Sequence, residues 1–448
     1  MIQTSNSTYD WVASTFEVFE KNLNGEAQTN VHALRKHAME RFAVIGFPTT
    51  RDEEWRFTNV APIAKTCFSP VLAYSRGATA ADIERLSFAR LRSHRLVFVN
   101  GHFSSELSSL ESLPHGVIIG SLAAALKSHD DLVNQHIGKY ASTEKDAFTA
   151  LNTAFLRDGA FISIPDKVVL EDPIHLLFIS TGSDDSFVSH PRNLVLIGKQ
   201  SQISIVERYV GLKNNVYLTN AVTEILAGEN SVLEHDKLQD ESTNAFHVSS
   251  LHVHQLEHSN LVSNSISFGG ALARNNVTSM LAAEGVECTL NGLSLATGRQ
   301  HVDNHTTIDH SSSHCNSHEL YKSILDEKAR GVFNGKIFVR KDAQKTDAKQ
   351  TNKTLLLSDE ATIDTKPQLE IFADDVKCTH GATVGQLDDE QIFYLRSRGI
   401  GETDAKDILT FAFASDVINR VHVEALRNQL DAMIQARLRQ GRLSESVE

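Results

Sequence analysis

The sequence predicts a mainly β protein whose centre is a continuous stack of paired strands. From Ala160 to about Gly385 the apolar residues recur with period two, and short strand-like runs alternate with closely spaced Asn and Gly turns. No proline lies between Pro191 and Pro367, and because proline removes a ladder N–H, this interval suits central strands. No long helical pattern interrupts it, which disfavours a doubly wound α/β sheet. A parallel β-helix with coils of roughly 20 residues and a β-sandwich both fit the pattern.

Segments with helical periodicity flank these strands and divide the chain into three predicted domains. A mainly helical N-terminal domain covers 1–158, the β core covers 159–390, and a helical C-terminal domain covers 391–448. Within the first domain, the apolar spacing from Val31 to Ile45 predicts a helix that ends at Gly46, where a left-handed cap belongs.

Three further N-terminal features have local signatures. The run from Thr50 to Glu53 fits a capping box, in which Thr50 caps a helix and Glu53 reaches back to it. The run from Leu96 to Val99 predicts a strand closed by an Asn-Gly turn, and the spacing from Asp146 to Arg157 predicts a helix.

Two amphipathic helices are predicted near the C-terminus, from Asp404 to Val421 and from Val423 to Leu438. The second has an apolar residue at every fourth position: Leu426, Leu430, Ile434 and Leu438. Such a stripe is typical of packing on the protein's own core, and a partner-binding face is the alternative.

Composition excludes several functional classes. The 448 residues are 41% hydrophobic and 22% charged, which is ordinary for a globular protein. The formal net charge of -13 and the lack of a Lys/Arg cluster disfavour nucleic-acid binding. No apolar run reaches the roughly 18 residues of a membrane span, and the start from Met1 to Asp10 lacks the layout of a secretory signal. We therefore expect a cytoplasmic protein that does not bind membranes.

Cysteine usage and enzyme motifs are both sparse. The four cysteines are Cys67, Cys288, Cys315 and Cys378. They are far apart and form no CxxC pair, which disfavours a disulfide framework and a self-contained tetrathiolate site. The sequence contains no GxxxxGK[ST] phosphate loop, no strand-linked GxGxxG and no GxSxG elbow. We therefore expect that the chain is not an enzyme.

Histidines are concentrated in one 18-residue stretch: His301, His305, His310, His314 and His318. Imidazole is a common metal ligand, so the cluster suggests zinc or iron. On a strand, however, His301 and His305 lie roughly 13 Å apart, which is too far to share one ion. A helix through the last three is disfavoured by the serines at 311–313. A polar surface or a wet subunit interface is the favoured interpretation, and a metal site is the alternative.

The segment Cys378-Thr379-His380 is the second candidate for chemistry. On a strand, Cys378 and His380 point to the same side with Cα atoms roughly 6–7 Å apart. Both side chains can bind iron, and a thiolate can also accept sulfur. Because two ligands cannot complete a cluster site, further ligands would have to come from elsewhere, such as a second subunit.

Several blocks resemble a known family. Residues 48–58 resemble the P-x-x-R-x-E-x-W-[KR]-[YF]-T signature near the start of SufD proteins. Other blocks resemble the family's central and C-terminal motifs: 309–310, 314–322, 329–336, 344–357, 367–371, 375–383 and 393–400. The chain is thus similar, over about 30–425, to the SufB/SufD family of iron–sulfur cluster assembly scaffold subunits. The Trp55 signature and the Lys-Cys-Thr-His-Gly-Ala-Thr segment favour the SufD branch.

The resemblance implies a fold and two partners. It implies a right-handed parallel β-helix flanked by an N-terminal α/β domain and a C-terminal α-helical domain. It also implies a heterodimer with SufB, with a homodimer in isolation as an alternative. The ATPase SufC is expected to dock on the C-terminal helices, near Arg398, Gly399, Ile400, Phe411 and Phe413.

The resemblance further implies a site for cluster assembly. His380 matches a histidine of the SufB–SufD interface, where a nascent cluster forms, and Cys378 is a second candidate metal ligand. SufC dimerisation is expected to expose a buried Cys378/His380 region, with the cluster held transiently with SufB and no cofactor held stably by this chain alone. A purely structural partner of SufB and a carbohydrate-active β-helix enzyme are the alternatives. Iron binding without SufB, the cluster type and any flavin site are left open.

Overall fold

The centre of the molecule is a parallel β-solenoid. The computed structural model describes residues 10–23, 29–74, 76–88, 91–182 and 186–445. The N-terminal region contains these elements: α1 Asp10–Lys21, α2 Asn30–Ile45, a 3-10 turn at Glu53–Trp55, α3 Ala61–Lys65, β1 Ser69–Pro70, α4 Ala80–Leu86, β2 His94–Val99, β3 His102–Phe103, β4 Ile118–Ser121, α5 Leu122–Ser128, α6 Asp130–His136 and α7 Ala147–Ala154.

The solenoid strands follow without an intervening helix. They are β5 Ala160–Ile164, β6 Ile174–Ser180, β7 Phe187–Ser189, β8 Arg192–Ile197, β9 Gln202–Gly211, β10 Tyr217–Ala227, β11 Val232–Asp240, β12 Phe246–Gln255, β13 Asn260–Ser267, β14 Leu272–Leu281, β15 Glu287–Ala296, β16 His301–His310, β17 Asn316–Leu325, β18 Arg330–Val339, β19 Asp347–Leu356, β20 Thr362–Ile371 and β21 Lys377–Gly385. The chain ends with α8 Asp389–Ser397, α9 Glu402–Ile418 and α10 Glu424–Glu445.

Successive strands enter two sheets in turn. From β8 onwards the even-numbered strands form the first sheet and the odd-numbered strands the second, and neighbours within each sheet pair in parallel. This pattern confirms the β-helix and rules out the β-sandwich. Paired residues such as Leu272 and His301 are 29 positions apart, so the predicted coil length of about 20 residues was too short. Each coil contains two ten-residue strands and also the two turns that connect them.

The main core fills the lumen between the two sheets. Side chains alternate between lumen and outer face along each strand, and in-register pairing stacks residues of successive coils into columns. One such column contains Ile205, His235, Ser263, Leu290 and Glu319. The lumen is therefore not uniformly apolar, and its polar layers have fixed places along the solenoid.

The N-terminal region is joined to both sheets. Strand β2 pairs in parallel with β6, and β4 pairs antiparallel with β5, so strands from the predicted helical domain extend the solenoid. The helix predicted from Val31 is α2, and Gly46 follows it with φ 70° while its amide donates to the Phe42 carbonyl. The predicted Thr50 capping box was wrong, because the Asp52 carboxylate accepts from the backbone and hydroxyl of Thr49.

The C-terminal helices lie on the outer face of the second sheet. Leu426, Leu430 and Ile434 of α10 are buried in one apolar cluster with strand residues such as Leu293 and Ile324. The stripe therefore packs on the protein's own core, as the favoured interpretation predicted. No helix in the described part of the chain is both long and apolar enough to span a membrane.

Candidate functional site

The solenoid ends on two strands with free edges. Strands β20 and β21 are the last members of their sheets, and each pairs on one side only with a described strand, β18 and β19 respectively. Most residues of β21 are exposed, in contrast to the buried strands before it. Both predicted site residues, Cys378 and His380, lie on this terminal strand.

Register places both side chains at the opening of the lumen. Cys378 pairs with Ala348 and His380 pairs with Gln350. Ala348 and Gln350 are buried, and since paired residues share a face, Cys378 and His380 face the lumen from its last coil. The lumen-facing residues of β21 form the lumen mouth: Cys378, His380, Ala382 and Val384.

The two mouth residues differ in environment. Cys378 is half-buried against Ile337 and Ala348, and burial, together with the nearby Asp347 carboxylate, raises the pKa of its thiol. His380 is exposed in the single chain, so the expected burial of this region is not a property of the chain alone. No group of three or more His, Cys, Asp or Glu side chains that could hold a metal occurs in the described residues.

A buried carboxyl lies two coils beneath His380. Gln350 pairs with Glu319, and its Nε2 donates to Glu319 Oε2 at 2.7 Å. Glu319 is 3% exposed. Burial raises its pKa to about 7, and the neighbouring Thr306 hydroxyl and Gln350 amide offset this only in part. Neither Glu319 nor Gln350 is among the site residues predicted from the sequence.

The histidine cluster is dispersed over different surfaces. His310 is buried in the lumen, with Nε2 2.9 Å from Ser317 Oγ. His314 lies in a turn and pairs with Glu284, and His318 is exposed on β17. These three imidazoles therefore lie on different surfaces and do not converge on one ion, and the burial of His310 departs from the favoured interpretation of a polar surface.

The Trp55 signature docks on the outer face of the first sheet. The Arg274 guanidinium lies 3.6 Å from the Trp55 ring centroid and 2.7 Å from Asp303 Oδ2, which also accepts from Thr58 Oγ1 at 2.5 Å. Burial alone would raise the pKa of Asp303, but Arg274 and His305 hold it well below its usual range. These contacts give the N-terminal signature a structural role, since they fix it to β14 and β16.

The predicted SufC-docking residues fall into two groups. Arg398, Gly399 and Ile400 lie in the connection between α8 and α9, where the Arg398 guanidinium lies 4.7 Å from the Tyr394 ring centroid. Phe393 and Tyr394, which are not among the residues predicted from the sequence, are large exposed apolar residues of α8. Together with Arg398, they form an exposed apolar surface at the end of α8, next to the α8–α9 connection.

Phe411 and Phe413 face the solenoid instead. Both are half-buried in the cluster between α9 and the second sheet. Lys322 Nζ donates to the Phe413 carbonyl at 2.9 Å and lies 4.2 Å from its ring centroid, and the same ammonium pairs with Asp416 at 2.5 Å. Phe413 therefore links the helices to β17 within the chain.

Comparison with known proteins identifies the family. The model described as "SufBD protein N-terminal region" matches residues 6–176, and that described as "SUF system FeS cluster assembly, SufBD core domain" matches residues 178–413. The chain belongs to the SufBD family.

The relatives place the chain on the SufD branch. It is 33% identical over 411 residues to an iron–sulfur cluster assembly SufBD family protein of Synechocystis, covering 90% of both chains. It is 31% identical over 441 residues to the iron–sulfur cluster assembly protein SufD of Escherichia coli, covering 98% of both. The match to SufB of Bacillus subtilis is 24% over 351 residues, or 76% of this chain and 74% of that one. The chain is thus a SufD-type protein of iron–sulfur cluster assembly.

Proposed function

We propose that this SufD-type chain is a scaffold subunit that pairs with SufB through its free solenoid end and contributes iron ligands to the shared interface. The observation that carries this proposal is the position of Cys378 and His380, side by side at the lumen mouth on a strand with a free edge. A site at the end of a solenoid is open to a second solenoid that abuts it.

The end surface supports pairing with another chain. Free strand edges present unpaired N–H and C=O groups, which favour the addition of a strand from a partner. Ile371, Phe372 and Val384 expose apolar side chains at the same end. Because SufB belongs to the same family, we infer that it presents a comparable end, so that two lumen mouths would face each other.

The chemistry of the mouth suits a transient cluster. An exposed imidazole is a good ligand for ferrous iron. The Cys378 thiol, whose pKa is raised in the single chain, would lose its proton only when a cation or the partner's charge favours the thiolate. The chain therefore supplies at most two ligands here, and the remaining iron or sulfur ligands would come from SufB.

SufC would act through the C-terminal helices. Polar contacts join these helices and the connection between α9 and α10 to the second sheet: Lys322 with Asp416 and the Phe413 carbonyl, Arg420 with Asn291, Arg437 with Asp240 and His422 with Glu234. That sheet ends at β21. ATP-driven movement of SufC, docked on the α8–α9 connection, would thus be transmitted to the strand that carries Cys378 and His380.

A purely structural role beside SufB is the second candidate. It is favoured by the finding that the described residues contain no complete metal-binding group. In this case the chain would stabilise SufB and offer no ligand. The comparisons give no support to the carbohydrate-active alternative, since the relatives reported above are named as cluster-assembly proteins or SufBD family members.

The two candidates are separated by co-purification with SufB and SufC, followed by anaerobic reconstitution read by visible absorbance. His380→Ala is compared with His318→Ala, which removes an exposed imidazole from the outer face of β17. We expect the first variant to lose most of the cluster band at unchanged complex yield, and the second to retain it. An intact band with His380→Ala would contradict the ligand role and leave the structural one.

A further inference from the structure

Beneath the lumen mouth, the last coils hold polar atoms that lack partners. The following lumen-facing oxygens have no hydrogen-bond partner in the structure: Glu319 Oε1, Gln350 Oε1, Asn352 Oδ1, Thr354 Oγ1 and Thr365 Oγ1. These five residues and Thr306, whose hydroxyl lies beside the Glu319 carboxyl, form the end shaft. Because buried polar groups normally have hydrogen-bond partners, the unpaired oxygens of Glu319 and Gln350 on adjacent coils point to a ligand that satisfies them.

The end shaft is closed at its inner end. Leu290 lies one coil below Glu319, and the rings of Tyr321 and Phe333 meet there with centroids 5.2 Å apart. These residues belong to the main apolar core. A ligand can therefore enter the shaft only from the mouth, past Cys378 and His380.

The chemistry of the end shaft selects a cation. Among the lumen-facing residues of β16–β21, all of which the structure describes, none is Lys or Arg. Gln350 Nε2 is already bonded to Glu319, and Asn352 Nδ2 contacts the Tyr321 carbonyl at 3.3 Å. What remains is a set of carboxyl, amide and hydroxyl oxygens, with no cationic side chain and with the Glu319 carboxyl as the acidic group among them. This environment disfavours hydrosulfide and other anions.

Gln350 occupies the middle of the end shaft. A β-carbon added to Gly335, on the opposite sheet, would lie 2.3 Å from Gln350 Nε2, so the glycine makes room for this side chain to cross the lumen. Adjacent coils lie roughly 4.8 Å apart. Gln350 and Glu319 are thus close enough to share one ion, while His380, one coil further out, stands at the entrance.

We propose that Glu319 and Gln350, supported by the Thr306 hydroxyl, form a cation subsite that holds a divalent ion entering past His380. Carboxylate, amide and hydroxyl oxygens suit hard divalent ions such as Mn²⁺. The naming of ferrous iron as the natural ion rests on the function proposed above, whereas the site itself rests on the buried oxygen set. SufD-type chains with this set would hold iron inside the solenoid before it reaches the interface.

The test uses the full chain without partners. Equilibrium dialysis against ferrous ions under anaerobic conditions, and Mn²⁺ titration followed by the free-ion EPR signal, are run on wild type, Glu319→Gln and Asp236→Asn. The last variant removes a buried carboxyl that bonds to Asn264 outside the lumen. We expect one bound ion per wild-type chain, affinity lowered roughly tenfold or more by Glu319→Gln, and no change with Asp236→Asn.

Circular dichroism and thermal melting show that each variant is folded, so loss of binding is not loss of structure. Three results would each overturn the subsite. These are an unchanged ion affinity in Glu319→Gln, a loss of affinity in Asp236→Asn equal to that in Glu319→Gln, and no ion bound to the wild type. His380→Ala is expected to slow ion uptake without changing the number of ions bound at equilibrium.

Failure of the subsite and failure of the proposed function give different results. If Glu319→Gln binds ions normally while His380→Ala abolishes the cluster band with SufB and SufC, the subsite is wrong and the function stands. If His380→Ala leaves the cluster band intact while Glu319→Gln loses the ion, the ligand role at the mouth is wrong and the subsite stands.

Discussion

We expect Glu319 to make the stability of the metal-free chain depend on pH. Burial raises its pKa from 4.5 to about 7, so between these values the folded state keeps a proton that the unfolded state has lost. The stability due to the neutral carboxyl is fully present below about pH 4.5 and is lost as pH rises through about 7. Glu319→Gln should therefore raise the free energy of unfolding at pH 8 by about 1–3 kcal/mol and change it little at pH 4.5.

Urea unfolding with a chelator, followed at both pH values, measures this difference. Asp236→Asn provides a comparison, because burial raises the pKa of Asp236 to about 6, so its stability gain should begin at lower pH. A Glu319→Gln protein with the same pH dependence as the wild type would show that the carboxyl is ionised in the folded state throughout.

Site residues could be predicted from the sequence where the pattern of a single strand fixed their position. They could not be predicted where the position depended on the register between strands. Cys378 and His380 could be placed on one face because residues i and i+2 of any strand share a face. Glu319 could not, since the run from Asn316 to Leu325 has polar residues at both odd and even positions. Its lumen position follows from pairing with Gln350 and Leu290, which are 31 and 29 positions away and invisible to local pattern.

At the scale of elements, the C-terminal helices are part of the core as well as the proposed docking surface. Residues Leu426, Leu430 and Ile434 are buried against the second sheet. Deletion of 404–448 would uncover this apolar face, so loss of SufC binding after such a deletion would not identify the docking site. A substitution on the exposed side of α8 avoids this problem.

Phe393 of α8 is a suitable residue for this substitution, since it is 73% exposed and lies near the α8–α9 connection. We expect Phe393→Asp to weaken SufC binding roughly tenfold or more, as removal of an exposed aromatic anchor does, with an unchanged melting temperature. Val44→Asp is the control, because Val44 is 74% exposed on α2. Titration with purified SufC measures both, and undiminished binding by Phe393→Asp would remove α8 from the proposed docking surface.

Elements with a strong periodic pattern were predicted, and contacts between distant elements were not. Helix α2 and both final helices followed from apolar spacing. The Thr50 capping box failed because Glu53 pairs instead with Lys366 at 2.7 Å, a contact that spans most of the sequence. The period-two pattern fits a sandwich and a solenoid equally, so parallel pairing was decided by family resemblance and not by pattern.

For the whole molecule, the two ends of the solenoid differ in how they are covered. At the N-terminal end, Val117 and Ile119 belong to the lumen core, and the helices α5 and α6 pack beside β5 and β8 through Leu122, Val133 and Phe161. At the other end, β20 and β21 have free edges. Pro367 lies on β20, where a missing N–H is tolerated because the strand is at an edge. Solenoids need a polar or covered terminal coil, so this end is the one at which we propose that a partner packs.

Val384 lies at the lumen mouth and is 44% exposed, which makes it a test of end-to-end pairing. We expect Val384→Glu to lower the affinity for SufB roughly tenfold or more, because a charge would be buried without a counter-ion. Val169→Glu is the matched control, since Val169 is 58% exposed before β6, far along the chain from the terminal strands. Both variants should melt like the wild type.

Analytical ultracentrifugation of each variant with SufB measures the affinity of the heterodimer, and the same runs without SufB detect any homodimer. If Val384→Glu pairs with SufB as tightly as Val169→Glu does, the free solenoid end is not the interface. The mouth residues would then face solvent in the complex, and no second chain could complete a cluster site there. If pairing is lost in Val384→Glu alone, SufB covers the mouth, and an ion held by Glu319 and Gln350 could leave only towards the partner.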